Sequence, residues 1–380
     1  MPKHIHVIAF DVPYPANYGG VIDIFYKIKC LHKMGVKVHL HAYQYGRKES
    51  KVLSDYCHEV KYYRRKIFRN PFSNKKPYIV VSRNSTELID SLLKDNHPIL
   101  FEGLHSTYYL ADKRLKDRFK IVRMHNIEHD YYEHLYKAEK NYAKKSFFKL
   151  EASRLKKYES VLKHADLIAA ISSNDYKYLS NKYANTFYWP PFHTNEEMSA
   201  MPGRGDFVLY HGNLGVAENH KAAKYLINNV FSSSDKPFVI AGSNPSYELR
   251  TLVQKFDNIK LYSDISTERI EQLIRSAHIN VLHTAQATGI KLKLINALYQ
   301  GRHCLVNSKM VDNTGLESLC YVANNATSYR NQIDDLWAKD FDSEEMEQRE
   351  ELLLSAFNNR NNMELFVLAL QGQSKVAALQ

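Results

Sequence analysis

Short apolar runs alternate with stretches of helical spacing twice along this chain, with one interruption, and that rhythm restricts the fold more than any other feature. In the first half, His6–Phe10, Val36–Ala42, Glu59–Tyr63, Pro98–Glu102, Lys120–Met124 and Asp166–Ile171 read as strands. Helical patterns separate several of them, notably Val21–Lys33 and a long one over roughly 131–163. The pattern breaks near 186–206, where Thr-Phe-Tyr-Trp-Pro-Pro-Phe-His is followed by Met-Pro-Gly-Arg-Gly-Asp. Prolines and glycines so grouped mark a boundary. Alternation then restarts with strands at Phe207–His211, Pro237–Ala241, Ile259–Tyr262, Ile279–His283 and His303–Asn307, and helices between them. Strands separated by helices of this length imply βαβ units and parallel sheets.

The expected organisation is therefore a domain over 1–190, a linker over 191–205, a second domain over 206–342 and a helical segment over 343–380. A length of 380 residues also exceeds one ordinary core. With 44% hydrophobic and 24% charged residues the chain is expected to fold rather than stay disordered. Two doubly wound units joined by a linker bring the carboxyl ends of two sheets to a shared crevice, where ligands bind in such folds.

Cys30, Cys57, Cys304 and Cys320 are widely spaced without a C-x-x-C pair, which fits a reduced, cytoplasmic protein and no disulfide or metal scaffold. The opening MPKHIHVIAFDVPYP lacks the apolar region and cleavage site of a secretory signal, and no run reaches the ~20 apolar residues of a membrane span. Net charge is +11, unevenly spread: residues 1–190 carry +15 and the remainder −4. The basic half implies a polyanionic partner, whether membrane phospholipid, a phosphate-bearing acceptor or nucleic acid.

The most informative segment is Ala287-Thr-Gly-Ile-Lys-Leu-Lys-Leu-Ile-Asn-Ala-Leu-Tyr-Gln-Gly301, which follows a strand and is expected to open a helix at Gly289. A helix N-terminus offers free N–H groups to an anion. Gly289, Lys293 and Asn296 share a helix face, while Leu292, Ile295 and Leu298 form another that suits the core. A cation and an amide in that position suit a diphosphate and a sugar hydroxyl, although a surface lysine on any amphipathic helix gives the same pattern.

The run Gly289–Gly301, the following His-Cys-Leu-Val-Asn-Ser and the later Thr314-Gly-Leu-Glu317 resemble the donor-binding region of glycosyltransferase family 4. Asp11-Val-Pro-Tyr-Pro-Ala-Asn-Tyr-Gly-Gly20 resembles that family's N-terminal glycine loop, and Tyr210-His-Gly-Asn-Leu214 the opening of its second domain. The resemblance implies a GT-B fold, in which two Rossmann-like, doubly wound parallel-sheet domains face each other and carry C-terminal helices. It also implies transfer of sugar from a nucleotide donor with retention, and no tightly bound metal. Two family glutamates, eight positions apart, fall here on Thr288 and Asn296, and the family's Arg and Lys after the first strand of the second domain are replaced near Asn213, Glu218 and Asn219. Lys291 and Lys293 are the candidates to supply the missing charge.

Tyr18-Gly19-Gly20 sits at a strand-to-helix turn, where glycine lets backbone approach a phosphate or acceptor. A plain tight turn reads the same way, and there is no G-x-G-x-x-G. Arg123-Met-His-Asn-Ile-Glu-His129 follows another strand; by resemblance His125 is the acceptor-side histidine, with Glu128 close by. The same residues match the zinc pattern H-x-x-E-H, which requires a regular helix. Glu102 and His105 end a further strand, and are read either as facing the same crevice or as solvated loop residues. Asp340-Phe-Asp342 has a D-x-D form but lies in an acidic tail and reads as a solvated charge run.

Residues 61–76 carry seven basic side chains, no acid and four aromatics, a composition suited to an anionic membrane surface, to single-stranded nucleic acid, or to a solvated loop. With the resemblance, the expectation is a retaining glycosyltransferase of surface-polysaccharide type. It would use a UDP- or GDP-sugar on a saccharide or lipid-linked acceptor, reach the inner face of the cell membrane through 61–76, and have no specific nucleic-acid partner. His125, Glu128, Glu102 and His105 would serve catalysis; Gly19, Gly20, Asn213, Thr288, Gly289, Lys291, Lys293 and Asn296 would bind; no metal would be held. The alternatives are a non-catalytic GT-B partner subunit and a nucleic-acid-binding protein using the basic half.

Overall fold

The computed structural model describes residues 2–67, 75–285 and 290–370. The chain forms two compact units: residues up to His193 together with those from Asn359, and Thr194–Asn358.

The first unit is built on seven strands: β1 (His4–Ala9), β2 (Lys37–Gln44), β3 (Glu59–Arg64), β4 (Ile99–Glu102), β5 (Lys120–Met124), β6 (Leu167–Ala170) and β7 (Thr186–Tyr188). They lie in the order β3-β2-β1-β4-β5-β6-β7 and every neighbouring pair is parallel. The strand order reverses between β1 and β4, and the loops leaving their carboxyl ends diverge there. Apolar layers cover both faces, as an all-parallel sheet requires. On one face Ile5, Val7, Val38 and Leu40 pack with Ile24, Phe25, Ile28 and Leu31 of the helix Gly19–Lys33, whose apolar residues recur every three or four positions. On the other, Ile8, Tyr43, Phe101, Val122 and Met124 form a second layer.

The second unit has six strands: β8 (Val208–His211), β9 (Phe238–Gly242), β10 (Ile259–Ser263), β11 (Ile279–Leu282), β12 (His303–Val306) and β13 (Tyr321–Val322). Their order is β10-β9-β8-β11-β12-β13, again parallel throughout, with its reversal between β8 and β11. Phe231 and Phe238 stack at 3.8 Å in the core beneath.

Three local expectations change. The long helical stretch is two helices, Glu128–Ala138 and Tyr142–Tyr158; Asn141 caps the second by accepting from the Lys144 N–H, so the chain restarts instead of continuing. The supposed break at 186–206 begins with strand β7, whose short aromatic run is an edge of the sheet. The residues from 343 divide: the helix Ser343–Phe357 belongs to the second unit, while Asn359–Leu370 belongs to the first. There Phe366 stacks on Trp189 at 4.5 Å, and the indole N–H of Trp189 donates to the Asn362 carbonyl at 2.7 Å. Among the described residues no helix is long and apolar enough to cross a membrane.

Candidate functional site

At the carboxyl end of the first unit's sheet, five ionisable side chains are buried together. Asp23 and Lys27 stand one turn apart on the helix Gly19–Lys33, with Glu102 ending β4, Arg123 in β5 and His125 just beyond it. Lys27 Nζ lies 2.9 Å from Asp23 Oδ2 and 2.8 Å from Glu102 Oε1, and Arg123 Nη2 lies 3.0 Å from Asp23 Oδ1. Arg123 also donates to the carbonyls of Trp189 and Pro190, and the Phe192 N–H donates to Asp23. Burial on its own raises a carboxyl pKa, yet Arg123 and Lys27 outweigh it and hold Asp23 well below the usual range. Glu102 is lowered in the same way, against burial, by Lys27 and His125.

The second oxygen of Glu102 lies 2.8 Å from His125 Nε2. Both Glu102 oxygens are thereby taken, and its effect is to fix the His125 ring. Phe10 meets that ring edge-on at 5.3 Å and His105 at 5.3 Å. Gly103 has φ +71, and a Cβ there would stand 3.1 Å from the His105 ring, so only glycine lets both imidazoles gather at this strand end.

His105 Nδ1 faces Glu128 Oε1 at 3.7 Å, beyond hydrogen-bond length, and among the described residues both atoms are buried without a hydrogen-bond partner. Burial, reinforced by nearby Asp175, pushes the Glu128 carboxyl up to about 8, while burial and Arg83 press His105 well below the ordinary imidazole value. At neutral pH this is a protonated acid beside a neutral imidazole. Glu128 opens the helix Glu128–Ala138, so the H-x-x-E-H residues straddle a loop and a helix start. His125 turns to Glu102, whereas His129 Nε2 meets Tyr178 at 2.8 Å. The two histidines serve different partners.

Gly19 and Gly20 are the first residues of their helix, behind Tyr18, whose hydroxyl donates to Asp11. A Cβ on Gly20 would come within 2.6 Å of the Phe10 ring, while Gly19 has open space.

In the second unit β8 ends on His211, followed by a turn in which Asn213 Oδ1 accepts from the Gly215 N–H at 3.0 Å. Asn219 Nδ2 donates to the Asn213 carbonyl, and Asn219 Oδ1 receives Lys293 Nζ at 3.1 Å. The ammonium also lies 5.2 Å from the Tyr210 ring centre. Among the described residues Lys293 makes no ion pair. Burial draws it down to about 8, opposed by Glu218 and assisted by Lys291. Among the described residues His211 Nε2 is buried without a partner, and burial and Lys293 hold that ring down to about 3. At the neighbouring strand end, Thr284 donates to Glu218, and Asn307 exchanges hydrogen bonds with the Thr284 backbone at 3.1 and 2.8 Å.

Lys293 lies in the helix Leu292–Gln300, which begins at Leu292 with Lys291 as its cap residue. Thr288 and Gly289 fall outside the described residues. Asn296 does not join Lys293: its Oδ1 accepts from Asn195 Nδ2 at 2.9 Å, and Asn195 in turn accepts from Gln300. Both aspartates of the D-x-D are exposed, as expected; Asp342 also caps the helix Ser343–Phe357, Asp340 pairs with Arg204, and Phe341 between them is buried.

Sequence reasoning missed Asp23, Lys27, Arg123 and Arg83. The first two offered a signal, since they interrupt the apolar face formed by Val21, Ile24, Ile28 and Leu31. Arg123 lies in a strand buried at every position. Arg83 is buried with its guanidinium on the Phe10 and Ile79 carbonyls, and nothing in its surroundings in the sequence singles it out.

Two parallel α/β units, each with a strand-order reversal beside its first strand, have solved counterparts. Anabaena HepE, crystallised with UDP and glucose, is similar over 97% of this chain and 100% of its own, at 10% identity and a TM-score of 0.67. The fold is GT-B. TarM of S. aureus matches with the same identity and score over 97% and 99% of the two chains. A glycosyltransferase from Rickettsia africae matches at 13% identity and a TM-score of 0.64, over 98% and 100%. No family model matches the chain. Among curated proteins, an uncharacterized 44.6 kDa protein in the cps region of Klebsiella pneumoniae is 25% identical over 316 residues, covering 77% of this chain and 80% of that protein.

Proposed function

We propose that the chain is a glycosyltransferase that moves a sugar from a nucleotide-sugar donor to a saccharide or lipid-linked acceptor. The observation that carries this reading is Lys293: a half-buried ammonium with no ion pair among the described residues, set at the strand-order reversal of a GT-B domain. Such a group gains most from an anion, because a diphosphate offers both the opposite charge and the hydrogen-bond acceptors that burial has removed. Lys291 and the segment carrying Thr288 and Gly289 would complete the donor site, with Asn213 and Asn219 shaping its wall. The HepE complex with UDP and glucose and the TarM complex with UDP support a uridine nucleotide over a guanosine one.

In the other unit, His125, oriented by Glu102, would contact the acceptor hydroxyl. His105 and protonated Glu128 would hydrogen-bond the acceptor, and the helix start at Gly19 and Gly20 would bring backbone N–H groups to it. Rate enhancement would rest on positioning and on stabilising the departing diphosphate, with retention at the sugar and without a metal on the diphosphate. The resemblance to family 4 and the relative from a cps region support a role in bacterial surface polysaccharide synthesis, with the 61–76 segment carrying the enzyme to an anionic membrane surface.

Titration calorimetry with UDP, GDP, UDP-glucose and GDP-mannose tests the reading. Saturable binding of one nucleotide series is the expected result. Absence of binding across the panel, with the protein folded, would leave the non-catalytic subunit as the better description.

A further inference from the structure

Three histidines meet at the opposite end of the first unit's sheet from the strand ends described above. In β1 and β2, the residues Ile5, Val7, Val38 and Leu40 turn into one apolar layer, and His4, His6, His39 and His41 occupy the alternate face. His4 Nδ1 and His39 Nε2 are 3.0 Å apart. His97, from the loop before β4, stacks on His4 with ring centres 4.5 Å apart and planes 12° from parallel. One nitrogen from each of His4, His39 and His97 lies within 4.8 Å of the others.

We propose that His4, His39 and His97 form a binding site for a divalent transition metal of the zinc class, separate from the transfer chemistry. Imidazole nitrogen is a preferred ligand of zinc, nickel and copper. A tetrahedral ion held at ~2.0–2.1 Å sets its ligand nitrogens roughly 3.3 Å apart, so closing the triad onto an ion requires the stacked His4 and His97 rings to rotate until their in-plane lone pairs converge.

The surroundings resemble the support that metal-bound histidines need. His39 presents Nε2 to the group, and its Nδ1 faces Glu59 Oε2 at 3.5 Å, which orients the ring. The backbone of His97 is fixed on both sides: its N–H donates to Asp95 at 3.0 Å, and its carbonyl receives Arg118 Nε at 3.0 Å. A fourth imidazole, His58, borders the group, with ring centres 5.1 Å from His39 and 5.7 Å from His4. All three proposed ligands are partly open to solvent, which gives an ion a route in. The site lies at the amino ends of β1 and β2, so an ion there would tie the two strands and the β4 approach together without touching His125 or Glu102.

Zinc alone is the probe, added to the metal-stripped full chain and followed by competition with a chromophoric chelator. One tight equivalent is expected. His97→Ala should weaken it about a hundredfold or more, and Glu59→Gln about tenfold. His164→Ala, at an exposed histidine elsewhere, should leave it unchanged. Copper in place of zinc should give an electron paramagnetic resonance spectrum with nitrogen ligands that His97→Ala alters. The proposal falls if no equivalent saturates, if both His97→Ala and His4→Gln bind as the parent does, or if His164→Ala weakens binding equally. UDP binding is recorded in the same samples, and its loss or survival bears on the transfer reading alone.

Discussion

The two sheet ends treat buried charge in opposite ways. In the first unit Asp23 and Glu102 are matched by Lys27 and Arg123, and every charge has an opposite neighbour within 3.0 Å. In the second, the half-buried Lys293 meets an amide and an aromatic ring, and among the described residues His211 keeps a buried nitrogen without a partner. A closed set of charges holds a structure together and leaves little over for a ligand. An open one stores electrostatic demand that an anion can satisfy. The difference predicts that the first cluster carries stability and the second carries affinity.

The largest effect should follow from opening the closed set. Asp23→Ala leaves Lys27 and Arg123 buried with too little negative charge, and removing one partner of a buried pair costs about 3–5 kcal/mol. Urea unfolding should show that loss; a change below about 1 kcal/mol would mean that water already reaches the cluster. Next, Lys293→Met should weaken UDP binding about ten- to a hundred-fold, the ~1.5–3 kcal/mol of a hydrogen bond to a charged group, while urea stability holds or rises. Equal losses of stability in the two variants would erase the contrast between the units.

A smaller effect concerns Glu128. Its folded pKa of about 8 lies above the 4.5 of an unperturbed glutamate, so between those values the folded state holds a proton that the unfolded chain has released. Stability from this group is complete below about pH 4.5, declines as pH rises, and levels off above 8. Glu128→Gln should remove that decline. Relative to the parent it should gain about 1 kcal/mol per pH unit between pH 5 and 8, and a pH-independent difference would place the carboxylate in contact with water.

The smallest effect lies on the basic strand edge. Arg65 packs over Tyr45 and Tyr78 and bonds Ser82, while Arg64 and Lys66 are exposed. Each exposed cation contributes about 1 kcal/mol at an anionic surface. Changing Arg64 and Lys66 to Glu should therefore reduce co-sedimentation with anionic vesicles in a salt-sensitive way, with UDP binding unchanged. Identical sedimentation would remove the membrane from the account of this segment.

Much of the fold was legible because parallel strands buried on both faces are written as short apolar runs. The strand at Lys120–Met124 is found at its expected residues, and those at Glu59 and Ile279 start where expected. Strands β7 and β13 escaped because two or three residues beside prolines or turns carry no periodicity. The site was less legible. Residues such as His125, just past a strand, and Lys293, on the helix after one, announce themselves by their place after an apolar run, but their partners come from distant sequence. Lys27 meets Glu102 across 75 positions and Arg123 meets Asp23 across 100, and no local spacing encodes such pairings. Asn296 shares a helix with Lys293, yet hydrogen bonding to Asn195 takes its amide elsewhere.

The return of the helix Asn359–Leu370 to Trp189 has a consequence for the order in which the molecule is made. Everything needed for the second unit leaves the ribosome before the piece that covers Trp189 in the first. The unit translated first is thus the one completed last, and during the interval the face of Trp189 that Phe366 will cover remains exposed. A released chain ending just short of residue 359 would contain all of the second unit and only part of the first. The stretch that encodes Asn359–Leu370 therefore controls the maturity of a sheet encoded well before it.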